Sequence, residues 1–466
     1  MPATQSQLRE KALGIVLATE ATPAVRSAAI RSTAAGLGVP TRQVRQWVRE
    51  AEDDQVVPTW AKIIAVGLLV LLAWSPHLRK DIPAPLPIEL LLLPLWWPAT
   101  RRAPAFAPLM WLVGVALASG FWLAVWNGSD HAYTHGGMIA TTSLVLSVFL
   151  GVGVILWART VLGLRWTGVA FAVGLLMSAA QTASSGLAAT NPWKFAWSLP
   201  VTLLLLSLLA PVRSRLVQVL ALGGLALSGV TNDARSFFGM CLFTAGLVIW
   251  QGLPAGQPGR LRRITPAVLL AGLLALVYWG GTKLLLDGAL GSGLQERSQA
   301  QVLKSGSLLA GGRPEWTATW QLMHERPLGF GLGSVPTSSD IVVAKTGLSK
   351  VLEDYDSGYV DKFMFGGAFK LHSVAADLWV NLGVLGLLLA LVVAVILLGS
   401  LVRALADRTA SAVVIFTTVV AVWFLAFGPI VSNLGDIGLA LGLTLLVRDA
   451  PGSGAPGPEP AGHGPG

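Results

Sequence analysis

The sequence predicts an all-α, polytopic membrane protein with about twelve transmembrane helices. Of its 466 residues, 53% are hydrophobic and 12% are charged, and the mean hydropathy is +0.65, far outside the range of soluble domains. Apolar runs long enough to cross the roughly 30 Å hydrocarbon core of a bilayer recur along the chain. Because a membrane interior offers no hydrogen-bonding partners to the backbone, such runs must be helices.

Residues 1–57 are hydrophilic and predict a small helical module in the cytoplasm. The stretch RSAAIRSTAAGLGVPTRQVRQWVRE reads as a helix, a turn at residues 36–40, and a second helix with Thr41 as its expected N-cap. This helix-turn-helix pattern is similar to the small trihelical DNA-binding modules of transposases. A folded juxtamembrane bundle is the alternative.

The charges of this module are nearly balanced. A DNA-binding surface needs an excess of positive charge, so we do not expect nucleic acid as a partner. The balance is between the basic residues Arg9, Lys11, Arg26, Arg31, Arg42, Arg45 and Arg49 and the acidic residues Glu10, Glu20, Glu50, Glu52, Asp53 and Asp54.

Residues 58–448 form the predicted membrane domain. With the N-terminus in the cytoplasm, the short loops on that side are all basic, as the positive-inside rule requires. Loop 288–371 then lies on the extracytoplasmic face, and the Pro/Gly-rich tail 449–466 is expected to be disordered in the cytoplasm. The approximate span centres are Leu69, Leu92, Val115, Val145, Val173, Leu204, Gly224, Thr244, Leu273, Val384, Val419 and Leu441.

Arg235, in TNDARSFF, is the first of three ionisable groups at the predicted outer membrane boundary. We expect Asn232 or Asp233 to cap the eighth span and Arg235 to lie in its first turn. A helix N-terminus with a guanidinium is a good site for phosphate or diphosphate. An arginine that reaches out to lipid headgroups is an equal alternative.

Arg313, in GGRPEWTATWQLMHERP, is the second ionisable group at the predicted outer membrane boundary. Pro314 at the first helical position, apolar residues at helical spacing and Pro327 as terminator predict a short amphipathic helix on the outer surface. Its residues Trp316 and Trp320 are the expected interfacial anchors. Arg313 is either a solvated charge or a second phosphate ligand, and the glycines of the following GFGLGS predict turns.

His372 is the third ionisable group at this boundary, and it lies where the tenth predicted span begins. An imidazole in the first turn of a helix is disfavoured as the cation, so it should be neutral at pH 7 and able to accept a proton as a general base. A histidine that anchors the helix end among headgroups is the alternative.

The sequence around His372 resembles the bacterial O-antigen ligase family and its O-antigen polymerase relatives. The resemblance rests on His372-Ser373, nine residues, then Gly383-Val384-Leu385-Gly386, and on the upstream residues Gly312-Arg313, Trp316 or Trp320, Pro327-Leu328-Gly329, Gly331 and Gly333. It implies a many-helix glycosyltransferase of the C superfamily type in a bacterial inner or plasma membrane. Such enzymes take a polyprenyl-diphosphate-linked glycan as donor and transfer it to an acceptor hydroxyl, with no metal or other cofactor.

The resemblance also implies roles for individual residues. Arg235 and Arg313 would contact the donor diphosphate, and His372 would be the base or a further diphosphate partner. A neutral His372 that takes the acceptor proton implies one inverting displacement. The supporting motif residues are Ser373, Gly383, Gly386 and Asp377. Many relatives carry an acidic residue at the position of Asn381, and Asp377 lies one helical turn before it. Ser373 stands where the relatives more often have Asn.

Three other functions stay open at this stage. A transporter or flippase for lipid-linked glycans would place acids or histidines inside its spans, whereas Glu89 and Asp436 are near predicted span ends. His131 and His135 have the spacing of helical metal ligands, although the flanking glycines indicate a loop. The N-terminal module could instead make the protein a membrane-tethered regulator. Within the enzyme class, the acceptor is lipid A-core, another polyprenyl-linked repeat, or a protein or cell-wall polymer.

Overall fold

The computed structural model describes residues 5–17, 23–55, 57–79, 81–252, 264–289, 291–306, 312–351, 358 and 360–446. This part of the chain is helical almost throughout, with one two-stranded hairpin, so the all-α prediction is confirmed. The described residues form two compact units, residues 5–63 and residues 64–446. The predicted tail 449–466 lies outside the described residues.

The N-terminal unit contains three helices: α1 (Gln5–Leu17), α2 (Pro23–Leu37) and α3 (Thr41–Gln55). Gly38 ends α2 with φ +63°, a conformation that glycine adopts without strain. The Pro40 carbonyl accepts from Gln43 N and Val44 N, so Thr41 is the first helical residue and not the predicted N-cap. The helices enclose a small core of Ala12, Val16, Ile30, Ala34, Val44, Trp47 and Val48.

From residue 59 onward, the described chain consists of a series of mostly apolar helices and one hairpin. They are α4 (Thr59–Trp74), the hairpin β1 (His77–Arg79) and β2 (Ile82–Pro83), α5 (Pro85–Leu91), α6 (Leu93–Thr100), α7 (Phe106–Trp126), α8 (His135–Thr182), α9 (Gly186–Thr190), α10 (Ser198–Leu208), α11 (Arg215–Thr231), α12 (Arg235–Gly252), α13 (Ile264–Leu286), α14 (Ser292–Ser305), α15 (Glu315–Glu325), α16 (Ser338–Leu348), α17 (Val374–Leu382), α18 (Val384–Ala406), α19 (Ala412–Phe427) and α20 (Ile430–Thr444).

Helix α8 consists of two helical segments that meet at Gly163, where φ is +74° and ψ is +168°. Both segments pack on α4, because Gly151 lies against Leu72 and Gly174 against the backbone of Val70. Gly163 falls between the predicted span centres at 145 and 173. The sequence predicts two separate spans joined by a loop here, and that layout stays a prediction.

Within the described residues, four helices are long and apolar enough to cross a membrane: residues 106–129, 135–182, 265–286 and 384–406. Several further apolar helices have 10–17 residues, as expected for a membrane protein. The predicted span at Leu92 is broken there, between α5 and α6, and the span at Val384 is broken at Gly383. The number of about twelve spans and their orientation stay predictions.

The predicted extracytoplasmic loop 288–371 contains helices of its own, α14 to α16. The apolar face of α15 packs against protein, since Ala318 and Leu322 are buried in a core with Phe330 and Trp379. Trp316 of this helix is half-buried against protein and Trp320 is exposed. Their role as interfacial anchors stays a prediction.

Candidate active site

Two of the predicted site segments meet at the last turn of α19. Ser373 Oγ donates to the Leu425 carbonyl at 2.9 Å, and Trp316 Nε1 donates to the Ala426 carbonyl at 2.7 Å. The last carbonyls of a helix have no partner within the helix, and Pro429 prevents α19 from continuing. The end of α19 therefore holds the chain beside Arg313 and the chain beside His372 on adjacent residues.

Arg313 lies two residues before the start of α15 and faces two aromatic rings of α19. Its guanidinium carbon lies 5.7 Å from the ring centroids of both Trp423 and Phe427, and these two rings are 4.5 Å apart. A guanidinium over aromatic faces keeps its charge and gains cation–π attraction. Sequence reasoning missed both aromatic residues, although their i, i+4 spacing at the end of an apolar run was a usable signal.

His372 has φ +54°, in the left-handed region. Its Nδ1 lies 2.9 Å from the Lys370 carbonyl oxygen. Because a carbonyl can only accept, Nδ1 carries the proton, and in the neutral ring Nε2 is then the atom that can accept one.

The predicted location of His372 in the first helical turn is wrong. Ser373 is the N-cap of α17, and its hydroxyl accepts from Ala376 N at 3.3 Å, so His372 lies one residue before the cap. The effect of a helix dipole is largest within the first turn. The dipole argument for a neutral imidazole is therefore weaker than the sequence indicated.

Asp377 ties the His372 segment to the start of α20. Its side chain is 1% exposed, and its two carboxylate oxygens accept from Leu371 N at 2.8 Å and Ile430 N at 2.9 Å. Leu371 directly precedes His372. Asp377 thus fixes the backbone at Leu371 and at Ile430, and this supporting role depends on its two acceptor oxygens.

The two motif glycines permit the break between α17 and α18. Gly383 has φ +72°, and a Cβ there would lie 2.6 Å from the Leu328 carbonyl oxygen. A Cβ at Gly386 would collide with the Leu378 carbonyl oxygen. These contacts explain the need for glycine at both positions by backbone packing alone.

Loop 327–334, which contains GFGLGS, lies across the end of α17. Phe330 N and Gly331 N both donate to the Val380 carbonyl at 3.0 Å, and Leu332 N donates to Gly120 O. Gly329, Gly331 and Gly333 all have positive φ, as predicted for turns. The three donating N–H groups already bond to protein carbonyls, so this loop is a packing element rather than a phosphate cradle.

Arg235 lies in a separate polar cluster with Asp233, Ser298 and Lys194. It is the first residue of α12, and its side chain is 33% exposed. Its Nε lies 3.9 Å from Asp233 Oδ1 and its Nη1 lies 3.4 Å from Ser298 Oγ of α14. Lys194 Nζ also lies 3.9 Å from Asp233 Oδ2. Asn232 is the C-cap of α11 and not the predicted N-cap of the next helix.

His131 is buried in a polar network that the sequence did not indicate. Its Nε2 lies 2.8 Å from Asp340 Oδ2, and its Nδ1 lies 3.5 Å from Asp130 Oδ2. Arg326 pairs with Asp130 and holds the pKa of that carboxyl below its usual value. This network joins the α7–α8 connection to the end of α15 and to α16.

His131 and His135 do not form a shared metal site with other ligands in the described residues. Across those residues, no group of three or more His, Cys, Asp or Glu side chains is placed to hold a metal ion. The His135 ring instead packs edge-on against Tyr133, with the ring centroids 5.9 Å apart.

Two acidic side chains lie inside the helical packing. Glu89 is 1% exposed, and neither carboxylate oxygen makes a hydrogen bond of normal geometry within the described residues. It lies beside Ser147 and Gly151, in the middle of the first segment of α8. Asp436 lines a cavity of about 20 Å³ with Thr417.

Comparison of the chain with protein-family models, curated proteins and solved structures finds no match. The family resemblance therefore rests on the motif residues described above.

Proposed function

We propose that the protein transfers a glycan from a polyprenyl-diphosphate carrier to an acceptor hydroxyl at the extracytoplasmic membrane face. The observation that supports this proposal is that the segments beside Arg313 and His372 meet at the end of α19. Trp316 follows Arg313 by three residues and Ser373 directly follows His372, and the two side chains bond to adjacent carbonyls. A cation for a diphosphate and a base for a hydroxyl are thereby held on one scaffold.

Glycosyl transfer from a diphosphate depends on stabilising the leaving group. Arg313 can supply this through charge-assisted, bidentate hydrogen bonds to phosphate oxygens. The aromatic pair Trp423 and Phe427 orients the guanidinium before the donor binds, which reduces the reorganisation needed during reaction. No metal ion or other cofactor is required for this chemistry.

His372 would take the proton from the acceptor hydroxyl. The bond between Nδ1 and Lys370 O assigns proton acceptance to Nε2, which is the tautomer a general base needs. One direct displacement of the diphosphate by the activated hydroxyl inverts the configuration at the sugar carbon.

Arg235 would be the second ligand of the donor diphosphate. Asp233 and Ser298 hold its side chain in the first turn of α12, where backbone N–H groups favour an anion. That Arg235 and Arg313 bind the same diphosphate is part of the proposal.

The proposed location is a bacterial inner or plasma membrane, with both termini in the cytoplasm and the site on the outer side. The protein would act in surface-polysaccharide or cell-wall glycan assembly. Its acceptor would be lipid A-core, a second polyprenyl-linked repeat, or a protein or cell-wall polymer.

A flippase or transporter is the second candidate, and Glu89 is the observation that favours it. Buried carboxyls inside membrane helices are expensive and are often part of ion or substrate pathways. Glu89 also precedes the helix break at Leu92, and broken helices are common at transporter binding sites.

The test is the lipid-linked glycan profile of cells that lack the protein, complemented with wild type, His372→Ala or Arg313→Ala. Accumulation of donor on the outer face, cured by wild type and not by either variant, supports a transferase. His324→Ala is the matched control, since His324 is exposed on the neighbouring helix α15, and it should complement fully. Donor trapped on the inner face would instead identify a flippase, and full complementation by both site variants would refute the proposed site.

A further inference from the structure

Lys194 lies on the short helical turn that leads into α10, in the same polar cluster as Arg235. Its Nζ is 3.9 Å from Asp233 Oδ2, and Arg235 Nε is 3.9 Å from Asp233 Oδ1. Both distances are within ion-pair range but exceed the length of a hydrogen bond. The side chains of Lys194, Asp233 and Arg235 are 34%, 36% and 33% exposed, so a ligand at the protein surface can reach all three.

The charges of these three side chains determine what they can bind. Arg235 and Asp233 together carry no net charge, because the carboxylate offsets the guanidinium. The carboxylate repels phosphate oxygens at about the distance at which the guanidinium attracts them. Two cations and one carboxylate leave one net positive charge, and Lys194 supplies it. An anion site at Arg235 therefore gains from the second cation.

Asn191 fixes Lys194 beside the turn that carries Asp233. The Oδ1 atom of Asn191 accepts from Lys194 N at 3.0 Å, and its Nδ2 donates to the Asn232 carbonyl at 2.7 Å. One side-chain amide thus joins the backbone at Lys194 to the residue that directly precedes Asp233. The two cations are therefore held close together by backbone contacts as well as by their shared carboxylate.

The segment that contains Lys194 also has hydrogen-bond donors for a ligand. Its ammonium group carries three donors, lies 5.3 Å from the ring centroid of Phe195, and makes no hydrogen bond to the described residues. Trp193 directly precedes it, and the buried Nε1 of Trp193 has no hydrogen-bond partner among the same residues. Buried N–H groups are nearly always paired in native proteins. A ligand with acceptor oxygens supplies what these donors lack.

We propose that Lys194 is a third cationic ligand of the donor diphosphate, positioned by Asn191, and that its charge compensates for Asp233. This inference rests on the proposed glycan transfer and adds a ligand to the same site. The phosphate of a lipid headgroup presents the same acceptor oxygens as the donor, so the experiment must distinguish the two sources of phosphate.

The test is the affinity of undecaprenyl diphosphate for the full-length protein in nanodiscs of phosphatidylcholine. Lys194→Ala should weaken binding about tenfold, as expected for the loss of one charge-assisted contact, and Lys194→Arg should restore most of the affinity. Asp233→Asn should strengthen binding, because it removes the opposing charge. The double variant Lys194→Ala/Asp233→Asn should lie between the two single variants. In the transfer reaction, Lys194→Ala should raise the KM for the donor.

Asn191→Ala tests the positioning role. It should weaken binding in the wild-type background and have no further effect in the Lys194→Ala background, since Asn191 acts through Lys194. Further loss in that background would show a purely structural role. The matched control is Lys350→Ala, which removes the same charge from an exposed position after α16 and should leave the affinity unchanged.

Weaker binding in both Lys194→Ala and Asp233→Asn would mean that this pair only holds the turn, and it would overturn the proposal. Unchanged affinity in Lys194→Ala would also overturn it. In that case, lost binding in Arg313→Ala leaves the proposed function standing, whereas normal binding in Arg313→Ala removes the diphosphate site as a whole.

Nanodiscs of mixed phosphatidylcholine and phosphatidylglycerol distinguish a headgroup from the donor. If Lys194→Ala binds undecaprenyl diphosphate normally but retains less phosphatidylglycerol than wild type, the ligand of Lys194 is a lipid headgroup and the proposal fails.

Discussion

The carboxylate of Asp377 accepts a hydrogen bond of 2.9 Å from the backbone N–H of Ile430, 53 residues further along the chain. Its other oxygen accepts from Leu371 N, so one buried side chain joins the backbone before His372 to the start of α20. An aspartate is suited to this role because both of its oxygens accept. Any substitution that keeps fewer than two acceptors leaves a buried N–H without a partner.

We therefore predict that Asp377→Asn lowers stability and activity together. The amide supplies one acceptor and turns a donor toward the other N–H, and an unsatisfied buried polar group costs about 1–3 kcal/mol. The thermal midpoint in detergent should fall, and glycan transfer should fall with it. The exposed Asp361, which pairs with Lys345, provides the control: Asp361→Asn should change neither quantity.

Arg313→Lys should lose most transfer activity although it keeps the charge. A lysine is a point charge and lacks the planar fork that binds phosphate oxygens in pairs. Trp423→Leu should weaken donor binding less, since a cation–π contact contributes roughly 0.5–2 kcal/mol. Donor affinity and transfer rate of the two variants give the comparison, and wild-type activity in the Arg313→Lys variant would exclude the bidentate role.

The His372→Gly variant should distinguish the loss of the proposed general base from an effect on backbone structure. Glycine adopts φ +54° without steric cost, so the variant should be at least as stable as wild type. Loss of a general base typically reduces the rate about 10²–10⁴-fold. A measured thermal midpoint and transfer rate that fell together would mean that His372 acts mainly through structure.

The sequence was sufficient for the helical class and for the turns at Gly329, Gly331 and Gly333, because these depend on local composition and glycine chemistry. It did not indicate that Trp316 and Ser373 bond to adjacent carbonyls of α19, since contacts across 52 or 110 residues have no local pattern. His372 lies two residues before Val374, the first residue of α17, and not in the first helical turn as predicted. Such a shift is below the precision of helix boundaries read from sequence.

Gly386→Ala should destabilise the α17–α18 junction strongly. The new methyl group would meet the Leu378 carbonyl oxygen, which belongs to the backbone and cannot rotate away. Overpacking of this kind typically costs about 1–3 kcal/mol. Gly399→Ala lies on the same helix α18 in open space and should cause no loss. Equal thermal midpoints for the two variants would contradict the packing role of Gly386.

Glu89→Met should increase the thermal stability of the membrane domain. Glu89 is buried against α8, and neither of its oxygens has a normal hydrogen bond within the described residues. Methionine is of similar volume and has no buried polar oxygens, so it removes a penalty of about 1–3 kcal/mol. The thermal midpoint in nanodiscs measures this gain, with Glu325→Met, at an exposed position on α15, as the control.

If Glu89→Met folds more stably but blocks movement of lipid-linked glycan across the membrane, the carboxyl is retained for transport. If transfer and lipid-linked glycan distribution are both unchanged, Glu89 has no part in either function.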